Sequence, residues 1–381
     1  MPTRTYVDVH ILQTVPPSNL NRDDAGSPKQ AVYGGARRAR VSSQAWKRAT
    51  RVAFADHIQE SELATRTKRI SKLLADRLAV RTGLDLESAT RVVTYLLTPL
   101  GIRAGKKAAE TAYLLFFGRP QIDRLVDLIA DRAGELAALD DKALGAAVGD
   151  LPVKEQLATG HPIDVALFGR MVADIPGLNV DAATQVAHAL STHAMETEFD
   201  YFTAVDDENI ESTGAGMIGT VEFNSATLYR FATVGIHQLL DNLGGDVEAT
   251  MTALEVFLTA FAYSMPSGHQ NTFGNRTLPA LVSVVLREDQ PVNLVSAFEE
   301  PVRSTAGIAG KSAHRLIAEM VRTIELWGLA PIAVFSTYSP ISDEPGSVAV
   351  RDTLGVSLPF KDMVSAATGS VRERLAAVEA R

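Results

Sequence analysis

Seven basic residues and no acidic ones occur between residues 29 and 51. These are Lys29, Arg37, Arg38, Arg40, Lys47, Arg48 and Arg51. The other 30 of the 37 Lys and Arg residues share the rest of the chain with all 45 Asp and Glu, so that remainder is acidic. A net charge of −8 argues against a protein that simply coats nucleic acid, but this cationic segment has the chemistry of a phosphate-binding surface.

Helical spacing arranges the second half of the cationic segment. Ser42 is a good N-cap for a helix that we predict from there to about Ile58, with Trp46, Ala49 and Ala53 on its apolar side. The opposite side carries residues at positions i, i+3, i+4 and i+7, namely Gln44, Lys47, Arg48 and Arg51. This pattern predicts a helix with one buried and one cationic face.

The start of that helix adds backbone N–H groups, a positive dipole end and polar side chains that suit a phosphate oxygen. Arg38 and Arg40 precede it on one face of a short predicted strand over Ala36 to Val41. A solvated surface is the alternative, because runs of charge are usually that. We favour phosphate binding, since no acid interrupts the segment.

Other patterns with chemical potential are weaker. Gly214 to Gly219 matches the dinucleotide fingerprint, but acidic residues precede it and a strand pattern follows, so we expect the tip of a hairpin. His188 and His193 are five residues apart, which on a helix is wrong for metal ligands. Asp23 and Asp24 could hold a divalent metal for phosphodiester cleavage or could cap a turn, and we favour the turn.

The surrounding elements give an α+β protein. Val7, Val9 and Ile11 alternate with polar residues and predict a first strand, which a long loop over Thr14 to Pro28 follows. Helical periodicity with almost no strand signal runs from about Ser61 to His193, and a strand or hairpin arm is predicted over Thr220 to Phe231. The order indicates a core domain with a helical insertion.

Composition limits the compartment and the chemistry. The chain has 381 residues and no cysteine, which excludes disulfides and thiolate sites and favours a cytoplasmic location. We find no signal peptide and no apolar run long enough to span a membrane. We also expect no cofactor and no metal site.

Several motifs together resemble the backbone subunit of the type I-E CRISPR Cascade complex, the CasC family of the RAMP superfamily. They are Leu20 to Asp24, Gly34-Gly35, Arg40 to Ala49, Phe168 to Met171, Phe199 to Asp207, Tyr229 to Phe231 and Asn242 to Gly245. They recur in the family's order and span most of the chain. The helical block and the C-terminal third match more loosely.

The resemblance implies a fold as well as a function. It implies an RRM-like (ferredoxin-like) palm over residues 1–60 and 225–381, inserted helical fingers over 61–195 that return to the palm near their end, and a β-hairpin thumb over 196–224. Copies would polymerise head to tail into a helical filament along a CRISPR RNA and display the guide for pairing with target DNA. Other Cascade subunits would be partners in this antiviral defence ribonucleoprotein, and no membrane would be involved.

Roles for single residues follow from the same resemblance. Palm positions that hold RNA phosphates match Arg22, Ser42, Gln44, Lys47 and Arg51, and Met171 matches the palm residue that packs against a displaced nucleotide. Phe202 and Thr203 match thumb positions near a kinked base. With the cationic residues of the segment, the predicted RNA-binding set is Arg22, Arg38, Arg40, Ser42, Gln44, Lys47, Arg48, Arg51, Met171, Phe202 and Thr203.

Two other classes of function stay open at this point. The first is a metal-dependent endoribonuclease that uses Asp23 or Asp24, as backbone subunits of the related type III effectors do with a loop aspartate. The second is a nicotinamide enzyme built on the Gly214 to Gly219 match. We expect the chain to be a binding subunit and no enzyme.

Overall fold

A computed structural model describes residues 4–101, 110–111, 114–172, 174–204, 217–339, 341 and 349–379. The chain forms two compact units. The first, called the sheet unit, comprises Met1–Ala53, Gln185–Gly235 and Leu254–Arg381. The second, called the helical unit, comprises Phe54–Thr184 and Ile236–Ala253. No helix within the described ranges is long and apolar enough to cross a membrane.

One large sheet organises the sheet unit. Its strands are β1 (Tyr6–Ser18), β2 (Gln30–Tyr33), β3 (Ala36–Val41), β6 (Thr184–Val186), β7 (Ala189–Ser191), β8 (Glu198–Ala204), β9 (Met217–Gly235), β10 (Leu281–Arg287) and β11 (Ala333–Tyr338). The hydrogen-bonded order is β11-β10-β1-β9-β7-β3-β2, and β6 and β8 also pair with β9. β1 is antiparallel to both β9 and β10, so the first strand of the sequence lies inside the sheet.

The position of β1 explains its sequence. Val7, Val9 and Ile11 alternate with Asp8 and His10, as predicted for a strand with one buried face, but all five side chains are buried. A strand with neighbours on both sides and covered faces must satisfy its polar residues internally. Asp8 does so in part, because its Oδ2 accepts the backbone N–H of Val292 and faces the buried guanidinium of Arg287.

β1 is longer than predicted, which corrects the loop expected to begin at Thr14. Thr14 pairs with Thr227 and Val15 with Ala226, and a register shift follows before Ser18. Pro16 and Pro17 fall in that irregular stretch, where a missing N–H costs no ladder hydrogen bond. The prolines therefore mark a bulge, and the loop begins only after Ser18.

Helices complete both units. Those with residues in the sheet unit are α1 (Ser43–Ala53), α10 (Val247–Tyr263), α11 (Gln270–Phe273), α12 (Ala309–Trp327), α13 (Val350–Leu354) and α14 (Phe360–Glu379). The helical unit contains α2 (Ile70–Thr82), α3 (Leu86–Leu97), α4 (Arg119–Ala130), α5 (Ala133–Ala138), α6 (Asp141–Gly149), α7 (Val153–Ala158), α8 (Ile163–Phe168) and α9 (Ile236–Asn242), and α10 begins there.

The helical unit has its own core, and helices α2, α3 and α4 confirm the periodicity read from the sequence. Their buried side chains form one apolar cluster that includes Leu74, Val93 and Leu125. The expectation of almost no strands between Ser61 and His193 is wrong, however. β4 (Ala64–Thr67) and β5 (Leu115–Gly118) form a separate antiparallel pair, and β6 and β7 also fall in this range. Strands of three or four residues are too short to show a period of two.

Candidate nucleic-acid interface

The helix α1 begins at the predicted N-cap. Ser42 Oγ accepts a hydrogen bond from the backbone N–H of Ala45 at 3.3 Å. Asn21 Oδ1 accepts the backbone N–H of Ser42 itself at 2.9 Å, so the loop after β1 is tied to the start of this helix. The Ser42 side chain is buried and caps the helix, so its hydroxyl stabilises the start of α1 and is not displayed on the surface.

The two faces of α1 differ as the spacing predicted. Trp46 and Thr50 are its buried residues, whereas the predicted Ala49 and Ala53 are only half-buried. α1 ends at Ala53, not near Ile58, and a 3₁₀ turn follows it. Thr50 Oγ1 and the hydroxyl of Ser264 lie 3.3 Å apart. The side of the helix that carries Trp46 and Thr50 therefore anchors it.

The other face of α1 carries the cations. Gln44 and Arg48 are exposed, and Lys47 and Arg51 are half-buried. Burial lowers the pKa of Lys47 below its ordinary value. The three basic groups and the amide share one side of the helix beginning at Ser43, so they can contact successive phosphates of one backbone.

Arg22 is exposed on the loop after β1, and a second loop positions it. Its Nη1 donates to Nε2 of His269 at 3.2 Å. His269 has a positive φ of 47°, which a non-glycine residue rarely adopts. The neighbouring Gly268 is required, because a Cβ there would lie 2.3 Å from the carbonyl oxygen of Leu20. His269 is 247 residues from Arg22 in the sequence, and only the fold brings the two together.

Arg40 and Lys29 extend the positive surface beside the start of α1. The backbone N–H of Arg40 donates to the carbonyl of Lys29 at 2.9 Å. Arg40 Nε donates to the carbonyl of Gln30 at 3.1 Å. This bond uses one of five N–H donors of the half-buried guanidinium, so the others can face a ligand.

Arg38 is not part of that surface, and its predicted role in RNA binding is wrong. Its side chain is fully buried. The guanidinium donates to the carbonyls of Ser191 at 3.0 Å and of Phe298 and Glu299 at 2.8 and 2.9 Å. Burial lowers its pKa. Arg38 therefore fastens the β2–β3 hairpin to the neighbouring chain segments.

Asp23 is used within its own loop. Its Oδ1 accepts the backbone N–H groups of Ala25 at 2.9 Å and Ser27 at 3.0 Å. Asn21 caps a second backbone group, the N–H of Ser42. These bonds confirm the turn chemistry preferred for this loop. Within the described residues, no group of three or more His, Cys, Asp or Glu side chains could hold a metal ion.

The two histidines considered as ligands lie outside helices. His193 Nε2 accepts the backbone N–H of Thr227 at 3.1 Å. His188 lies between β6 and β7, and its Nδ1 accepts the backbone N–H of Ser43 at 3.1 Å. His188 thus belongs to the cationic surface at the start of α1. The sequence did not predict that His188 lies beside the start of α1, because a lone histidine in a short strand pattern carries no information about its neighbours in the fold.

Met171 lies in the helical unit on a rigid backbone. The preceding Arg170 donates to the carbonyl of Leu178 at 2.7 Å, and its guanidinium lies over the ring of Phe117. Gly169 has a φ of 74° and packs against backbone. The Met171 side chain is nevertheless 82% exposed. An exposed thioether on a fixed backbone can pack against a base.

Phe202 and Thr203 lie on β8, which pairs antiparallel with the start of β9 to form an arm. Both side chains are exposed. Phe202 is opposite Gly219, and its ring covers the glycine so closely that a Cβ there would lie 2.3 Å from the ring. Successive residues of a strand point to opposite faces, so Phe202 and Thr203 can contact different groups.

The arm also shows the conformation at the C-terminal end of the Gly214 to Gly219 motif. Gly219 lies near the start of β9, and the backbone continues from it as a strand to Gly235, so no helix begins at this end of the motif. Residues 214–216, and with them the predicted hairpin tip, lie outside the described residues. A strand at this end of the motif lacks the helix N-terminus that a pyrophosphate needs, so the dinucleotide reading is rejected.

Comparison with known proteins places this geometry in a family. A model of a CRISPR-associated (Cas) family, described as CT1975-like protein, matches residues 7–355. The chain belongs to this family. Every residue of the predicted RNA-binding set in this CT1975-like chain, from Arg22 to Thr203, lies within the matched range.

Solved structures agree with the family. The CT1975-like chain is 32% identical to a chain of a "CRISPR RNA-guided surveillance complex, pre-nicking", with a TM-score of 0.82, covering 96% of this chain and 99% of that one. It is 29% identical to a chain of another "CRISPR RNA-guided surveillance complex", with a TM-score of 0.73 and the same two coverages. No match was found among the curated proteins.

Proposed function

We propose that this chain is a CRISPR RNA-binding backbone subunit of a type I-E Cascade complex. The observation that carries the proposal is the helix α1, which buries Trp46 and Thr50 and presents Lys47, Arg48 and Arg51 on its other side. Phosphate contacts of this kind hold an RNA without reading its sequence, which suits a guide whose bases must stay free for pairing. Similarity to chains of CRISPR RNA-guided surveillance complexes supports the choice of RNA.

The family resemblance supports a wider assembly. Copies of the chain bind one another head to tail along the guide in the cytoplasm, with other Cascade subunits, and display the RNA to target DNA. In this proposal the sheet unit supplies the RRM-like palm, the β8–β9 arm is the thumb, and the helical unit is the fingers. A filament of identical contacts would extend the phosphate-binding surface from copy to copy.

Fluorescence anisotropy with a labelled CRISPR RNA tests the binding role. Changing Lys47→Ala and Arg48→Ala together should weaken binding strongly and reduce the salt dependence of log K by about one for each phosphate that the variant no longer binds. The matched control is Arg132→Ala with Arg322→Ala, which removes the same charge from exposed arginines paired with glutamates. Equally weakened binding in both double variants would show a general charge effect and contradict the proposal.

We also propose that the chain does not cleave RNA. Asp23 Oδ1 already accepts two backbone N–H groups, which supports a structural role for this carboxylate. Incubation with guide, matched RNA and Mg²⁺ should give no product. Cleavage that disappears on Asp23→Asn or Asp24→Asn would overturn this part of the proposal and favour a metal-dependent endoribonuclease.

A further inference from the structure

One polar side chain beside the cationic surface has no assigned role. His188 lies in the connection between β6 and β7. Val41 pairs with Ala189 in antiparallel register, and this places His188 opposite Ser42, the N-cap of α1. The imidazole is exposed. It therefore lies where α1 offers its first backbone N–H groups.

The hydrogen bond of His188 fixes its tautomer. The backbone N–H of Ser43 donates to Nδ1 at 3.1 Å. An atom that accepts a hydrogen bond must keep its lone pair, so the neutral ring carries its proton on Nε2. The first N–H group of a helix has no partner within the helix, and Nδ1 supplies one. The ring is thus held in one orientation with a donor at its far side.

The electrostatic surroundings keep the ring neutral and attract an anion. Partial desolvation of the exposed ring, and then the positive charges of Arg40 and Lys29, lower the pKa of His188 below its ordinary value. The two charged groups that shift this pKa are both cations. Arg40 lies on β3, and Lys29 lies on the loop before β2. A neutral N–H donor beside two cations and a helix N-terminus favours a negatively charged or electron-rich oxygen.

We propose that His188 is a further RNA-binding residue, which steadies the first turn of α1 through Nδ1 and donates Nε2–H to a backbone oxygen of the RNA. The oxygen belongs to a phosphate or to a ribose 2′-hydroxyl. This inference rests on the proposed function, because it needs RNA at the cationic face of α1. It adds a contact that charge patterning does not predict, since histidine is not counted in the formal charge.

Two amide variants separate the two nitrogen atoms. His188→Asn keeps an acceptor close to the position of Nδ1 and removes the distal donor, and His188→Gln keeps a donor near the position of Nε2. We expect His188→Asn to bind labelled RNA about tenfold more weakly, which corresponds to one missing hydrogen bond to a charged or polar oxygen, with an unchanged melting temperature. His188→Gln should bind more tightly than His188→Asn.

Salt titration distinguishes this role from a purely structural one. Removal of a neutral donor should shift log K without changing its slope against log salt, whereas Lys47→Ala should reduce that slope by about one. A 2′-deoxy strand of the same sequence identifies the acceptor. A defect of His188→Asn on both strands indicates a phosphate, and a defect on the ribose strand only indicates a 2′-hydroxyl.

The outcomes distinguish the two proposals. If the wild-type chain fails to bind RNA, or if Lys47→Ala with Arg48→Ala binds as well as the wild type, the proposed function fails. If binding needs Lys47 and Arg48 but His188→Asn matches the wild type in affinity, only the role of His188 is overturned. A changed salt slope in His188→Asn would also overturn it, because the residue would then act by displacing a cation.

Discussion

The guanidinium of Arg230 stacks on the indole ring of Trp46, with 3.8 Å between Cζ and the ring centroid. The ring of Phe261 lies 4.6 Å from the same atom. Arg230 Nη1 donates to Oε1 of Gln13 at 2.7 Å, and Nη2 donates to the carbonyl of Phe261. Trp46 is the buried anchor of α1, so this stack holds the helix whose opposite face is cationic.

Removing the Arg230 side chain should therefore loosen the sheet unit. Arg230→Ala is expected to lower the free energy of unfolding by about 3 kcal/mol, because it removes packing against two rings and leaves buried acceptors without their donor. Urea denaturation measures the change. Arg322→Ala, an exposed control, should change the stability by less than about 0.5 kcal/mol. Equal stability of wild type and Arg230→Ala would mean that the stack does not anchor α1.

The sequence predicted α1 well because both of its faces follow the helical period. Trp46 is buried and Arg48 is exposed, as the spacing required. The partner of Trp46 was not predictable, because an arginine in the strand pattern around Phe231 reads as a surface residue. Only the fold shows that aromatic rings and carbonyl oxygens surround Arg230 and make its burial tolerable.

The turn between β2 and β3 should tolerate a side chain at one glycine and not at the other. Gly34 and Gly35 both have positive φ, 57° and 72°. A Cβ at Gly34 would lie 1.7 Å from the carbonyl oxygen of Glu299, whereas a Cβ at Gly35 meets nothing within 4 Å. Gly35→Ala should cost about 1 to 2 kcal/mol for its left-handed backbone, and Gly34→Ala should cost clearly more.

Thermal unfolding of Gly34→Ala and Gly35→Ala tests this difference. Both variants place an alanine at a positive φ, so a difference between their melting temperatures reports the packing around Gly34. The hairpin is fastened where Gly34 packs, since Arg38 Nη2 donates to the same carbonyl of Glu299. A shift of the hairpin in Gly34→Ala should therefore also disturb Arg38. Equal melting temperatures for the two variants would contradict the close packing of Gly34.

His10 should make the stability depend on pH. Its Nδ1 lies 2.9 Å from the hydroxyl of Tyr229, which itself accepts the backbone N–H of Leu294. Burial, and then the charge of Arg287, lower the pKa of His10 to about 3. The unfolded chain takes up the proton at the ordinary pKa of 6.5. Stability from this group is complete above pH 6.5 and is lost as the pH falls toward 3.

The expected slope is about 1.4 kcal/mol for each pH unit in that window. Asp8 acts in the opposite direction, because burial raises its pKa from 3.8 to about 6, and stability from that group increases as the pH falls between these values. His10→Gln isolates the histidine, since Asp8 is present in both proteins. Between pH 6.5 and 5, the unfolding free energy of the variant should fall less steeply than that of the wild type. Parallel curves would contradict the assignment.

Short elements and buried polar residues account for what sequence analysis missed. β2 has four residues, which is too short for a visible period. Arg38 and Ala39 point to opposite faces of β3, as the alternation predicted. Alternation does not show which face is covered by other segments of the chain. The face of Arg38 is covered by residues 298–299, whose carbonyl oxygens accept from its guanidinium. His188 reaches the candidate site through strand register, which only the fold provides.

Lys47 should make RNA binding sensitive to alkaline pH. Burial lowers the pKa of its ammonium group below the ordinary 10.5, and a phosphate is attracted only by the protonated form. RNA affinity should therefore fall as the pH rises through the lowered pKa of Lys47. Lys47→Arg keeps a positive charge at this position, because the guanidinium stays protonated throughout.

Anisotropy titrations from pH 7 to pH 10 on both proteins test this assignment. At neutral pH the two affinities are compared to correct for the different shape of arginine, and the ratio of variant to wild-type affinity should then increase with pH. Arg48→Lys is the matched control, because Arg48 is exposed on the same face and a lysine there should titrate near its ordinary pKa. If wild type and Lys47→Arg lose affinity in parallel, Lys47 does not contact a phosphate, and the RNA follows another path across α1.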